Sequence, residues 1–313
     1  MGTLSRWRRW WTALLFALVV SGRSIAAPVE AAAIPVVVTI HPLSSIVKAV
    51  GGPLVRVETL LPPGASPHTF EPRPAHVRAV AEAQLVVAVG AGLDDWVLAI
   101  ARSAKDAGIL LASEHVIAAG MGRAFDDHEH DDTHGHSHGD IDPHVWLDPM
   151  VVKEAIAPAI AEALIQALPE HRRAIESHLQ RFQQELDQLD AWIRERLASV
   201  GTGAFISYHA AWGYFADRYG LEHAASVAGF PGQEPSARWI AQVVQLARER
   251  GIKVVFAEPQ LSPKAAETIA REIQGQVLLL DPLGGHGLAG RENYIDLMRY
   301  NTEMLVQAFA LTQ

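Results

Sequence analysis

The chain of 313 residues contains no cysteine. That absence excludes disulfide bridges, thiolate metal sites and a lipid-modified N-terminal cysteine. Any metal must therefore be held by imidazole and carboxylate. Excess positive charge is missing too. The formal net charge is −9 at pH 7, which argues against nucleic acid or an anionic membrane surface as partner and suits a cationic ligand. Long apolar runs are lacking except near the start, where Arg6, Arg8 and Arg9 precede an apolar stretch from Trp10 to Val20. That stretch is shorter than the ~20 residues a membrane span needs. Ser24-Ile25-Ala26 then places small residues where a signal peptidase reads them. The expectation is a signal peptide over residues 1–26 that sends the chain to the periplasm. Its removal takes four arginines and no acids, so the formal charge moves from −9 to −13.

The rest has the make-up of a soluble globular protein, 49% hydrophobic and 19% charged, and is long enough for two domains with cores of their own. Ile34 to Thr39 and Leu85 to Val89 are continuous β-branched runs of the kind found in buried parallel strands. Val55 to Leu60 and Ile109 to Leu111 read as weaker strands, with helices over Pro74 to Ala83 and Trp96 to Ala107. Met150 to Leu168 is helical. A second helix follows over residues 169–200, with Ile175, Leu179, Phe182, Leu186, Leu189, Ile193 and Leu197 on one stripe. Its length exceeds what one small α/β domain requires, and a helix lying across two lobes accounts for it. The alternation then resumes: strands at Ala204 to Tyr208, Lys253 to Ala257 and Val277 to Leu280, and helices at Trp212 to Tyr219, Ser236 to Arg250, Pro263 to Gln274 (capped by Ser262) and Tyr294 to Leu311. The fold class expected is two α/β lobes with mostly parallel sheets, residues 27–168 and 201–313, joined by one long helix.

Between the lobes' elements, residues 123–140 break the pattern. His128, His130, His134, His136 and His138 stand among aspartates and glutamate there, a composition that reads as a mobile loop. In open α/β sheets ligands bind beyond the carboxyl ends of strands. The polar residues standing in such loops, or in a proline-stiffened segment, are His68, His144, His209 and Asp281, two from each lobe. His144 sits between two Asp-Pro pairs, which restrict its backbone. Three imidazoles and a carboxylate make a four-coordinate shell suited to Zn²⁺, whereas manganese prefers more oxygen. Asp281 before Pro282 has a second reading, as the cap of the Pro282-Leu283-Gly284-Gly285 turn. His41 and His286 are reserve candidates. Glu71 is a candidate acceptor orienting an imidazole. Trp146, Tyr208 and Trp212 read as core or pocket wall.

Pro67-His68-Thr69-Phe70-Glu71-Pro72, Asp142-Pro143-His144-Val145-Trp146-Leu147-Asp148-Pro149, Glu258-Pro259-Gln260-Leu261-Ser262-Pro263-Lys264 and Asp281-Pro282-Leu283-Gly284 together carry a family likeness. The chain resembles the cluster A-I solute-binding proteins, the metal-capturing components of ABC transporters, and most closely their zinc-uptake (ZnuA-like) branch. The resemblance implies two α/β lobes on one backbone helix, with Zn²⁺ between them as transported ligand. It places His68, His144 and His209 at the family's histidine ligands and Asp281 at its carboxylate. Where His209 stands, manganese members carry a carboxylate. It further implies a membrane permease with its ATPase as partner, a monomer, and loop histidines that gather zinc at lower affinity. The alternatives are a manganese-binding member, an adhesin or metal buffer, and a zinc hydrolase. For the last, the sequence offers no His-Glu-x-x-His helix and no evident general base.

Overall fold

The computed structural model describes residues 33–102, 107–124, 141–201, 203–229 and 231–311. Residues 1–26, expected to be a signal peptide, and the five loop histidines lie outside them. The first sheet consists of β1 (Ile34–Val38), β2 (Val55–Thr59), β3 (Leu85–Ala88) and β4 (Gly108–Leu111), all parallel, in the order β2-β1-β3-β4. The second repeats that topology with β5 (Ala204–Ser207), β6 (Glu222–Ser226), β7 (Val254–Ala257) and β8 (Gln276–Leu279), in the order β6-β5-β7-β8. The central strands are buried on both faces, which is why Val36-Val37-Val38 and Val254-Val255-Phe256 show no polar alternation.

The helices of the first lobe are α1 (His41–Gly51), α2 (Pro74–Glu82), α3 (Trp96–Ala101) and α4 (Ala112–Ala118). Next come α5 (Pro149–Val151), a π turn over Val152–Ile156 and α6 (Ala157–Ala167). The sequence predicts a regular helix there, and the departure has a cause in Pro158. Proline has no N–H for the carbonyl four residues back and its ring crowds that carbonyl, so a wider turn before it relieves the clash. A 3₁₀ turn at Pro169–His171 leads into α7 (Arg172–Ala198), about 40 Å long at 1.5 Å per residue. The remaining helices are α8 (Gly213–Tyr219), α9 (Ala237–Glu249), α10 (Lys264–Glu272) and α11 (Tyr294–Ala310). Ser262 does not cap α10, because Pro263 holds the N-cap position and makes no side-chain bond there.

Packing departs from the expectation of one core per lobe. Alternate residues of each sheet face two different clusters. Outward, Val37, Val86 and Ala88 pack against Val80 of α2 and Val97 and Ile100 of α3. On the second lobe, Ile206, Val255 and Ala257 pack with Val243 of α9 and Ile269 of α10. Inward, Val36, Val38 and Val87 of the first sheet and Phe205, Val254 and Phe256 of the second join a single cluster with α1, α6, α7 and α11. The buried stripe of α7, comprising Ile175, Phe182, Leu186, Leu189, Ile193 and Leu197, runs through it. Residues 33–313 accordingly form one compact unit.

His223 on β6 links this packing to pH. Its Nε2 lies 2.7 Å from Ser207 Oγ and its ring packs on Phe205 at 5.2 Å. Burial, reinforced by the charge of Arg123, pushes its pKa from 6.5 down to about 4. The unfolded chain therefore takes the proton first. Stability is unaffected above pH 6.5 and falls as pH drops from 6.5 towards 4, by about 2–3 kcal/mol at most. In the metal-free protein, His223→Gln is expected to reduce the loss of thermal midpoint between pH 7 and pH 5. An unchanged loss would remove His223 as its source.

Candidate metal centre

His68 is placed by a 3₁₀ turn, Pro67–Thr69, at the end of the proline-rich loop after β2. His144 follows the strand-like bridge between Ala124 and Ile141 and is 2% exposed. Asp142 fixes it twice, since Oδ1 accepts from the His144 backbone N–H at 3.0 Å and from Nδ1 at 2.8 Å. His209 follows β5. Its Nδ1 donates to Glu258 Oε1 at 2.6 Å, and Glu258 follows the neighbouring strand β7. In the sheet order β6-β5-β7-β8 the connections diverge between β5 and β7, so His209 and Glu258 flank the topological switch point. The equivalent point of the first sheet is plugged. There the buried Asp94 accepts from Thr39 Oγ1 at 2.6 Å and from the backbone N–H groups of Val89 and Gly90 at 2.8 Å.

The geometry brings three of the four expected residues together. Nε2 of His144 lies 3.4 Å from that of His68 and 3.2 Å from that of His209. Because Asp142 and Glu258 accept at Nδ1, the Nε2 atoms of His144 and His209 are both lone-pair acceptors and do not bond one another. Four nitrogens at 2.0–2.1 Å from a tetrahedral ion are about 3.3 Å apart, which is the spacing found. Burial lowers the His144 pKa against the opposing pull of Asp142, so its neutral, ligand-competent form is favoured. Ser66, Trp146, Gln260 and Leu283 complete the walls of a cavity of about 10 Å³ around the three rings, room for roughly one water-sized particle.

Asp281 does not join the three histidines. Its Oδ1 accepts from Gln260 Nε2 at 2.9 Å and from the N–H groups of Leu283 and Gly284 at 3.1 and 3.0 Å, while Oδ2 accepts from Arg291 at 2.9 Å. Its oxygens are committed to the Pro282-Leu283-Gly284 turn and its salt bridge, which makes the capping reading the structural one. Glu71 is exposed, and the carboxylates that orient the rings are Asp142 and Glu258. His41 begins α1 rather than ending a strand, and lines a separate cavity with His286 and Lys48. Glu258 was within reach of the sequence, because it stands directly after a strand.

The segment that carries His144 is tied to the second lobe. Trp146 Nε1 donates to Pro282 O at 2.7 Å, Tyr294 OH donates to Trp146 O at 2.8 Å, and Arg218 of α8 donates to Asp148 at 2.7 Å. Arg123 adds a further tie, from its backbone N–H to Tyr214 OH at 2.8 Å and from its guanidinium to Asp217 at 2.7 Å and Asp142 at 3.3 Å. Gly213 leaves room for that guanidinium, which a Cβ there would meet at 2.5 Å.

Two parallel α/β lobes sharing one long helix, with a nitrogen-lined cavity between them, define a two-lobed binding protein. Residues 36–308 match the family described as zinc-uptake complex component A, periplasmic, and the chain belongs to that family. It is 29% identical over 298 residues to the high-affinity zinc uptake system protein ZnuA of Yersinia pestis, covering 90% of this chain and 93% of that one. It is 28% identical over 286 residues to the zinc-binding protein AdcA of Streptococcus pyogenes serotype M3, where it spans 87% of its own length and 55% of that relative's. A crystal structure of ZnuA superposes with a TM-score of 0.77 at 30% identity, over 88% of this chain and 99% of that one. A zinc-bound ZnuA deletion mutant superposes with a TM-score of 0.75, also at 30% identity, over 88% and 98%.

Glu258→Gln is expected to weaken zinc binding 10- to 100-fold without unfolding the protein, since an amide no longer fixes the ring tautomer. Titration against a competing chelator measures this, and wild-type affinity would deny Glu258 that orienting role.

Proposed function

We propose that the protein captures Zn²⁺ in the cavity between its lobes on His68, His144 and His209 and delivers it to a membrane permease. The observation that carries the reading is the convergence of the three rings, with Nε2 of His144 at tetrahedral spacing from the other two and the rings of His144 and His209 held at Nδ1 by buried carboxylates. Membership of the zinc-uptake family and the names of the relatives support zinc as the cargo and an ABC permease with its ATPase as the receiver. The role is binding rather than catalysis. Residues 1–26 serve as the signal peptide, the place of action is the periplasm, and the protein works as a monomer. His128, His130, His134, His136 and His138 gather additional zinc for the cleft.

An all-nitrogen trio favours zinc over manganese. Elemental analysis of protein purified without added metal is expected to give at least one zinc per chain, and calorimetry a much tighter site for Zn²⁺ than for Mn²⁺. Equal affinity for the two would overturn the choice of cargo. Zinc above one equivalent is expected to disappear when residues 126–140 are deleted.

A further inference from the structure

We infer that Gln260 secures the fourth partner of the captured metal: a water, exchangeable for a small anion, that donates a hydrogen bond to Gln260 Oε1. The inference rests on the zinc reading above. Gln260 stands two residues after Glu258 on the loop following β7 and lines the cavity with the three histidines. Its Nε2 donates to Asp281 Oδ1 at 2.9 Å. A carboxylate engaged with Arg291 is acceptor-only, so this bond fixes which end of the amide is nitrogen. The other end, Oε1, is buried and has no hydrogen-bond partner among the described residues. Buried acceptors are nearly always bonded, and one left over at the wall of a binding cavity points to a donor carried by the ligand.

The neighbouring carboxylates are engaged elsewhere. Asp142 holds His144 and Arg123, Glu258 holds His209, and Asp281 holds Arg291 and its own turn. Pro67, Leu261 and Leu283 present apolar surface. Zinc on three imidazoles keeps one tetrahedral position, and sites with three protein ligands hold water there. A metal-bound water donates hydrogen bonds, which a neutral amide oxygen accepts. An anion such as thiocyanate has no hydrogen to give and meets the same oxygen unfavourably. Gln260 thereby selects water over anions at this position while leaving it exchangeable.

The test uses Co²⁺ as the probe, because its visible bands report the ligands around it, and thiocyanate as the competing anion. The wild-type protein is expected to take up one Co²⁺ whose bands shift as thiocyanate is added. Gln260→Leu removes the acceptor and keeps the histidines, so the thiocyanate concentration at half-shift is expected to fall roughly three- to tenfold, with metal affinity lower by a similar factor. A purely structural role for Gln260 would loosen the metal without making the site more receptive to anions. Wild-type bands that thiocyanate never moves would overturn the inference without use of the variant, as would an unchanged half-shift concentration in Gln260→Leu. Should the wild type take up no Co²⁺, or His209→Ala take up as much, the zinc reading itself fails and this inference with it.

Discussion

Replacing His209 with alanine is expected to weaken zinc binding at least a hundredfold. Four-ligand zinc sites are worth about 10–16 kcal/mol in total, so one nitrogen contributes on the order of 3 kcal/mol, or about two decades in Kd. A cost to the fold accompanies the direct loss. The ring that leaves also takes the donor at 2.6 Å from Glu258, whose side chain is 2% exposed. A buried carboxylate without that donor costs about 1–3 kcal/mol in the metal-free fold. The variant should therefore show a lowered thermal midpoint together with its loss of zinc. Because Asp142 holds His144 independently, that ring stays placed and residual binding should persist at high zinc. Calorimetry on folded, metal-free protein distinguishes the outcomes. Retention of wild-type affinity would exclude His209 from the site.

Leu186→Ala is the second large expectation, and it concerns the whole molecule. Leu186 is fully buried on the stripe of α7 in the cluster to which both sheets contribute. Truncating such a leucine costs about 2–5 kcal/mol through lost burial and the cavity left behind. For a chain of this size, about 3 kcal/mol lowers the midpoint by roughly 5 °C. The shared core adds a qualitative expectation, that the metal-free protein melts in one transition and the variant in one earlier transition. Two transitions, of which the substitution moves only one, would mean that the lobes are thermodynamically separate.

Much of this architecture was legible in the sequence, for identifiable reasons. Central parallel strands buried on both faces must be continuous apolar runs, and β1, β3 and β7 are. The stripe of α7 keeps helical spacing over 27 residues, which no strand or loop imitates. The convergence of His68, His144 and His209 follows from their places in loops that open on one cleft. Other features left no local mark. β6, Glu222-His223-Ala224-Ala225-Ser226, has no β-branched residue and is held by pairing with β5. α1 starts two residues after β1 without a capping side chain, with Ile40 at its N-cap, so Pro42 in its first turn is a start signal without the usual cap before it. Asp281 differs from a metal-facing carboxylate through Arg291, ten residues on, through Gln260, and through its own turn. Those partners are set by the tertiary fold, and spacing alone does not reveal them.

The position of α11 has a consequence for biosynthesis. This last helix, 17 residues long, packs on α7 and α1 at the opposite end of the sequence. Its first residue, Tyr294, donates its backbone N–H to Ser45 Oγ and its hydroxyl to the Trp146 carbonyl. A growing chain therefore cannot close its shared core until residues 294–310 have been made. Until then the faces of α7 and α1 that α11 covers stay open.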